Sequence, residues 1–232
     1  HTKQLKAKPD SLRNGSFHHC CQGSSFVRPT SAGNGARPMP WCILCAVTLH
    51  VALATPEPVK HLDLESFLGR WYQTYGSVSV KYATEFGANC VFVDYSKSQG
   101  AIALTNSVSI LGLRVSVEGF AVPSPNATGV FQVSLGPSLL APKHPKPFVH
   151  PNYVIVALGP KLEGKYQYAV VTDPIFLSLY ILTRDVGRFA DFEEEVLQKV
   201  ADMGFTSFLN KPRRTNQNGC KYPAPRAILE VV

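Results

Sequence analysis

The feature that most constrains the fold is a series of short apolar runs in residues 69–184, separated by turn-forming residues. The runs are rich in Val, Ile, Tyr and Phe, and apolar and polar residues alternate most clearly in RVSVEGF and FQVSL. No helical pattern of ten or more residues lies between them, which excludes parallel β-α-β units. Eight antiparallel strands with short connections fit an up-and-down barrel that holds one small ligand. The predicted strands are residues 70–76, 88–96, 101–109, 113–122, 130–135, 153–158, 166–171 and 179–184.

A helical pattern appears only after these strands, in RFADFEEEVLQKVADMGF. Its apolar residues recur at helical spacing and form one stripe. Residues 193–195 are acidic and lie near the helix start, where the helix dipole favours them, and Gly204 suits the helix end. The sequence therefore predicts an all-β fold with one C-terminal α-helix packed outside the barrel. The docking stripe is Phe189, Phe192, Val196, Val200 and Met203.

The head of the chain has the features of a secretory leader. In MPWCILCAVTLHVALA, residues 39–54, an apolar run follows Arg37 and ends in the small-x-small sequence ALA. The run is too short to span a bilayer. We expect residues 39–54 to be a signal peptide and residues 55–232 to form one secreted domain. Residues 1–38 lack hydrophobic periodicity, and we interpret them as disordered or as an extension of the gene model.

Two cysteines, Cys90 and Cys220, remain once that head is set aside. In a secreted chain, two cysteines so far apart are best interpreted as one disulfide. The chain-entropy model gives such a long loop about 4–5 kcal/mol of stabilisation. Asn126 begins the sequon Asn-Ala-Thr within the turn-like segment PSPNATG, and it is a candidate glycosylation site.

The segment GRWY at residues 69–72 is interpreted as a structural device. In an up-and-down barrel the first strand starts where the eighth finishes, so Trp71 and Arg184 should meet. A guanidinium stacked on an indole contributes about 0.5–2 kcal/mol. Gly69 would let the preceding helical turn fold across that end without a clash. By the same parity, residues 77–87, 110–112, 136–152 and 173–178 surround the opposite, open end.

These residues carry a family resemblance. LGRWYQTYG resembles the Gly-x-Trp motif of the lipocalins, and YILTR resembles their closing motif, in which an Arg packs on that Trp. ANCVFVDYS and NGCKYP resemble the two half-cystines of the apolipoprotein D and bacterial lipocalin branch. The resemblance spans residues 63–222. It implies a secreted carrier that binds and transports a small hydrophobic ligand, such as a fatty acid, sterol or retinoid, and requires no cofactor.

The expected ligand site is the barrel interior, where apolar walls bind by removing apolar surface from water. Tyr180 matches a position that is aromatic and faces the ligand in apolipoprotein D. Each of the other candidates has ordinary packing as an equal alternative. The candidates are Tyr75, Val117, Phe131, Tyr168 and Tyr180. The mouth loop also carries Lys143, His144, Lys146 and His150, which would attract a carboxylate headgroup or simply be solvated.

Other functions fit the sequence less well. The formal net charge of +7 comes largely from residues 1–54, because residues 55–232 hold 17 Lys and Arg against 15 Asp and Glu. Nucleic-acid binding is therefore not expected. A lipocalin-type enzyme with a free thiol is a weaker alternative, since Cys90 has a partner in Cys220, and no motif for a nucleophile, metal or phosphate is present. A barrel filled by its own side chains, acting as an interaction module, stays open, as does docking of a membrane or receptor through the loops.

Overall fold

The computed structural model describes residues 56–225. The predicted signal peptide at residues 39–54 and the extension at residues 1–38 lie outside the described residues. The boundary of the secreted domain at residue 55 therefore stays a prediction.

Eight antiparallel strands form a closed barrel, as the sequence predicts. Each strand pairs with the next along the chain, and the last pairs with the first, which closes the wall. A hairpin of two short strands, β7 (Lys161–Leu162) and β8 (Lys165–Tyr166), interrupts the connection between the sixth and seventh barrel strands. The barrel strands are β1 (Gly69–Ser77), β2 (Ala88–Ser98), β3 (Ala101–Ile110), β4 (Leu113–Pro123), β5 (Val130–Pro137), β6 (Tyr153–Leu158), β9 (Tyr168–Thr172) and β10 (Leu179–Thr183).

One end of the barrel is closed by a short helix, α1 (Leu64–Phe67). Asp63 caps it, because its carboxylate accepts a hydrogen bond from the Ser66 amide at 3.3 Å. Phe67 is buried and packs its ring 5.3 Å from the ring of Trp71, which is fully buried. The interior core therefore fills the closed end and leaves space only toward the other end.

The C-terminal helix packs outside the barrel, and its apolar stripe forms a second core with the outer face of β9 and β10. The helix, α3 (Glu193–Asp202), begins later than the stripe, because a 3-10 turn at Arg188–Asp191 carries Phe189. Gly204 follows the helix with φ of 94°, a left-handed conformation that glycine adopts without strain. Within residues 56–225, none of the helices is both long and apolar enough to cross a membrane.

Besides the β7–β8 hairpin, the sequence did not predict two further elements. A helix, α2 (Val78–Ala83), follows β1, although its Val78 and Val80 alternate as in a strand. A short strand, β11 (Pro212–Arg214), pairs with the open-end half of β1. Both elements are short, and α2 depends on a Ser77 cap that also belongs to the preceding strand.

The C-terminal segment completes the wall between β1 and β2. β1 pairs with β2 only through its first four residues, as far as Tyr72 opposite Phe92 in the middle of β2. Beyond that point the Gln217 side-chain amide donates to the Gln73 carbonyl at 2.7 Å and to the Val91 carbonyl at 2.8 Å. The segment thus bridges the gap that the two strands leave.

The Cys90–Cys220 disulfide fixes this segment to β2, which confirms the predicted pairing. The Cys90 amide also donates to the Asn216 carbonyl at 2.9 Å. The disulfide spans 130 residues of sequence, so it fastens the chain's last described segment to one of its first strands.

Candidate ligand cavity

A cavity of about 250 Å³ lies above the closed end, among side chains of the inner face. Its walls combine aliphatic, aromatic and uncharged polar groups. Among the described residues that line it, none carries a charged side chain. The lining consists of Gln73, Val91, Phe92, Val93, Tyr95, Leu104, Asn106, Val133, Leu135, Asn152, Tyr153, Ser178, Tyr180 and Leu182.

Trp71 and Arg184 meet beneath the cavity. The guanidinium carbon of Arg184 lies 3.8 Å from the centre of the indole, and the indole nitrogen donates to the Phe67 carbonyl at 2.8 Å. Gly69 adopts φ of 103°, and a Cβ there would lie 3.3 Å from the Arg184 guanidinium. Glycine therefore suits this position both for its backbone conformation and for the space that Arg184 occupies.

Arg184 also holds the end of α1. Its guanidinium donates to the carbonyl oxygens of Arg70 at 2.7 Å, Ser66 at 3.0 Å, Phe67 at 2.6 Å and Leu68 at 3.0 Å. The last carbonyls of a helix have no partner within the helix, and a cation there is favourable. Burial lowers the pKa of Arg184 to about 10. Arg184 therefore acts as a structural tie beneath the cavity.

Two tyrosine hydroxyls meet in the cavity wall. The hydroxyl oxygens of Tyr95 and Tyr153 lie 2.8 Å apart, so one donates to the other and one O–H remains to donate elsewhere. Burial raises the pKa of Tyr95 to about 12 and raises that of Tyr153 well above its ordinary value. Both hydroxyls are therefore protonated at neutral pH and present a neutral hydrogen-bond donor.

Tyr180 lines the cavity nearer its mouth, as expected. Burial is the main cause that raises the pKa of its hydroxyl, and the negative charges of Glu85 and Asp173 add to it. The Tyr180 hydroxyl is therefore also protonated at neutral pH, and it is a second donor that a ligand would meet.

Gln73 connects the cavity wall to the connection after α2. Its amide nitrogen donates to the Glu85 carboxylate at 2.7 Å and to the Thr215 hydroxyl at 3.2 Å. Lys81 donates to the same carboxylate at 3.1 Å. The Glu85 carboxylate beside the cavity wall thus has an amide and an ammonium as partners.

Two of the predicted ligand residues face the interior but do not line the cavity. Phe131 is buried below it, with its ring edge toward Tyr153 at a centroid distance of 6.1 Å. Val117 pairs with Asn106, a lining residue, so the register places it on the inner face closer to the mouth. Both positions support the cavity wall.

The prediction was wrong for Tyr75 and Tyr168, which point outward into the core beneath α3. The Tyr75 hydroxyl donates to the Glu193 carboxylate, and the Tyr168 hydroxyl donates to Glu195 at 2.8 Å. In β1 a register shift between Gln73 and Tyr75 reverses the alternation that begins at Trp71. In β9 all five residues are buried, because α3 covers the outer face, and alternation then gives no indication of direction.

Of the fourteen lining residues, the sequence analysis named only Tyr180. Those that it missed include Gln73, Tyr95, Asn106 and Tyr153. Tyr95 and Tyr153 are aromatic residues on predicted strands, so counting two positions along from a known inward residue would have indicated them. Gln73 and Asn106 are polar, and polar residues in a strand are usually assigned to the solvent face. Their inward orientation has no simple signal in the sequence.

The remaining predicted residues are exposed. Lys143, His144, Lys146 and His150 lie in the connection between β5 and β6, and Asn126 lies in the turn between β4 and β5 at the closed end. The four basic residues are outside the cavity lining. Asn126 is accessible, as a glycosylated residue must be.

No family model matches the chain, and no curated protein matches it. Among solved structures, the chain is similar to insecticyanin from the tobacco hornworm Manduca sexta, with 16% identity over 70% of this chain and 85% of that one, and a TM-score of 0.48. The chain is also similar to the allergen Per a 4 from cockroaches, with 16% identity over 68% of this chain and 90% of that one, and a TM-score of 0.45. H1 crustacyanin from the lobster Homarus americanus shares 15% identity over 66% of this chain and 78% of that one, with a TM-score of 0.42. The eight-stranded architecture follows from the chain's own strand pairings.

Proposed function

We propose that this chain is a secreted lipocalin-type carrier that holds a small, uncharged hydrophobic molecule in the barrel cavity. The observation that carries the proposal is a cavity of about 250 Å³ with apolar walls and uncharged lining residues. An apolar molecule that enters it loses contact with water, which is favourable by roughly 25 cal/mol for each Å² of apolar surface. A few hydrogen-bonding groups in such a wall orient the ligand.

The lining favours a neutral ligand over an ion. A charge moved from water into an apolar site without a partner is strongly disfavoured. The donors that the cavity offers are all neutral, and they include the hydroxyls of the Tyr95–Tyr153 pair and of Tyr180 and the amide of Asn106. We therefore infer a ligand with an apolar body and one acceptor group, such as a carbonyl or hydroxyl. A fatty acid would have to keep its carboxylate at the mouth, beside Lys143 and Lys146.

The cavity volume limits the size of the ligand. Pockets for drug-sized molecules measure about 300–1,000 Å³, so this cavity is at the small end. We infer a ligand of one or two rings, or a longer chain whose end emerges at the mouth.

The disulfide and the sequon support a secreted protein. Disulfides persist in oxidising compartments, and N-glycosylation occurs on surface turns of secreted chains. The disulfide joins β2 to the C-terminal segment, as the resemblance to the apolipoprotein D branch implies. We accordingly infer that residues 39–54 are a signal peptide and that residues 55–232 are the secreted carrier, without catalytic activity.

Native mass spectrometry of the secreted, non-reduced protein, followed by organic extraction, is the first experiment. A reproducible co-purified lipid would identify the ligand class. Titration with a neutral, polarity-sensitive dye would then give an affinity, and sterols, retinoids and fatty acids would compete in turn. We expect neutral ligands to displace the dye better than fatty acids do at neutral pH.

A matched pair of variants tests the site. Tyr95→Phe combined with Tyr153→Phe removes the hydroxyl pair from the cavity, and Tyr168→Phe removes a hydroxyl from the outer core. The first should weaken binding of a carbonyl ligand by about 2–12-fold, the worth of one hydrogen bond, and the second should leave binding unchanged. A folded protein that takes up neither lipid nor dye would refute the carrier proposal.

A further inference from the structure

The exposed apolar side chains are distributed unevenly between the two ends of the barrel. Among the described residues, every large exposed apolar side chain except Leu162 lies at or beside the open end. Leu162 belongs to the β7–β8 hairpin at the closed end. Leu111 and Leu139 are 95% and 98% exposed, so they contribute almost nothing to the core.

Each connection at the open end supplies at least one such side chain. Four separate connections contribute such side chains: those that join β1 to β2, β3 to β4, β5 to β6, and β9 to β10. The examples that matter here are Tyr82, Phe86, Leu111, Leu139, Leu140 and Ile175. Together they form an apolar rim around the cavity mouth, and we call this set the rim.

Leu111 shows that the rim is not explained by stability. It occupies a tight turn before Gly112 with φ of 51°, a left-handed conformation in which Asn, Asp or Gly is favoured. A leucine there is disfavoured by its backbone and gains no packing in return, since it is almost fully exposed. Contact with an apolar phase outside the protein would give this residue a use.

The charge at the open end is positive. Lys143, Lys146 and Arg213 are exposed, and none of them forms an ion pair within residues 56–225. Of two acidic groups nearby, Glu85 is buried in an ion pair with Lys81. Asp173 keeps its negative charge and accepts three backbone hydrogen bonds from its own loop, so the three exposed cations outnumber it. Exposed cations beside apolar tips complement a lipid surface that carries negative headgroups.

We propose that the open end of the barrel docks on an anionic lipid bilayer, with the rim inserted among the headgroups and the exposed cations at their level. Docking itself requires no ligand. Its use rests on the proposed function: with the mouth against the bilayer, a hydrophobic ligand passes between membrane and cavity without crossing water.

Tryptophan probes test the docking geometry. Leu139→Trp places an indole in the rim, and Leu162→Trp places one at the closed end, where exposure is also high enough to spare the fold. The native Trp71 is buried and gives a constant background. On addition of ligand-free vesicles of phosphatidylcholine and phosphatidylserine, we expect the rim probe to shift to the blue and to be quenched by brominated lipid. The closed-end probe should not respond.

Vesicle flotation measures how much the exposed cations and the apolar rim each contribute to membrane binding, when variants of the two groups are compared. Each lysine near an anionic surface strengthens binding about fivefold, so Lys143→Gln with Lys146→Gln should weaken binding about 25-fold. High salt should have a similar effect. Leu139→Ser with Leu140→Ser should also weaken binding, by at least about tenfold. The controls at the closed end, Lys60→Gln with Lys97→Gln and Leu162→Ser, should bind as the parent does.

Several outcomes would overturn the proposal. These are equal quenching of both probes, binding that is the same to vesicles without phosphatidylserine and insensitive to the tip variants, or no binding at all. A concentration-dependent dimer that Leu139→Ser with Leu140→Ser abolishes, without vesicle binding, would assign the rim to a second copy of the chain. Dye uptake in the absence of vesicles separates this result from the carrier proposal, because it measures the cavity alone.

Discussion

Replacing Arg184 by Met removes the tie beneath the cavity while keeping a side chain of similar length. The guanidinium stacks on Trp71 and donates to five carbonyls, four of them in residues 66–70 and one at Tyr166. Methionine would fill much of the volume, but it would remove the charged donor that these carbonyls share, and only the Phe67 carbonyl would keep the Trp71 indole as a side-chain donor among the described residues. The closed end should therefore lose both the stacking and the connection between α1 and the barrel.

The expected loss of stability follows from these contacts. The stacking contributes about 0.5–2 kcal/mol, and hydrogen bonds that involve a charged group contribute roughly 1.5–3 kcal/mol each. These values do not add in full, because the buried cation is also partly desolvated, as its lowered pKa indicates. Leaving a buried acceptor without its donor costs about 1–3 kcal/mol, so the loss of several of these bonds together should exceed about 3 kcal/mol. At about 2–4 °C per kcal/mol for a domain of this size, Tm should fall by at least about 6 °C.

Thermal unfolding followed by the fluorescence of Trp71 measures the change directly at the affected end. Arg188→Met is the matched control, because Arg188 is exposed on the 3-10 turn and the substitution should change stability by less than about 0.5 kcal/mol. Dye uptake of the folded Arg184 variant should persist at low temperature, since the cavity lies above the tie. A decrease in Tm of less than about 2 °C, or equal decreases for the Arg184 and Arg188 variants, would refute the assignment of Arg184 as a tie.

Three further predictions concern the wall of the barrel. The pKa of Tyr95 is raised from 10.0 to about 12, so its contribution to stability is complete below pH 10 and is lost as the pH rises through 12. The absorbance of tyrosinate should therefore show a late titration step that Tyr153→Phe alters. A single step at the ordinary pKa of tyrosine would contradict this prediction. Cys90→Ser with Cys220→Ser should lower the free energy of unfolding in urea by about 4–5 kcal/mol, since the loop spans 130 residues, and a loss below 1 kcal/mol would argue against it. Gly119→Ala would place a Cβ 1.9 Å from a backbone oxygen of β5. The substitution should destabilise the protein by more than about 2 kcal/mol, which calorimetry would measure. An unchanged Tm would contradict this prediction and show that β4 and β5 separate easily.

The fold could be predicted because its main signals are local. The alternation in the strands and the turn residues between them identify the barrel strands with small errors at their ends. The stripe from Phe189 to Met203 identifies the outer helix, and strand parity alone brings Trp71 and Arg184 to the same end. Each of these inferences needs only spacing along the chain and the direction of each strand.

The cavity could be predicted only in part, because its residues depend on non-local packing. The irregularity after Gln73 turns Tyr75 outward, and nothing in QTY marks it. Tyr168 is buried on the outer face only because α3 covers it. Gln73 is accommodated inside because Glu85 and Thr215, from distant segments, provide its partners. Such contacts exist only in the folded chain.

The seam between β1 and β2 has a consequence for how the protein is made. β1 is the first barrel strand to leave the ribosome, but β10 and β11, which complete its two edges at the open end, are among the last segments. About 140 residues separate Ser77 from Arg214, so at 5–20 residues per second roughly seven to thirty seconds pass before both edges of β1 can be paired. Until then β1 exposes unpaired edge groups, which makes the nascent chain a client for chaperones. A chain terminated shortly after α3 would keep the eight barrel strands and their closure by β10, but it would lack β11 and the Gln217 bridge. The edge of β1 that faces β2 at the open end would then stay unpaired.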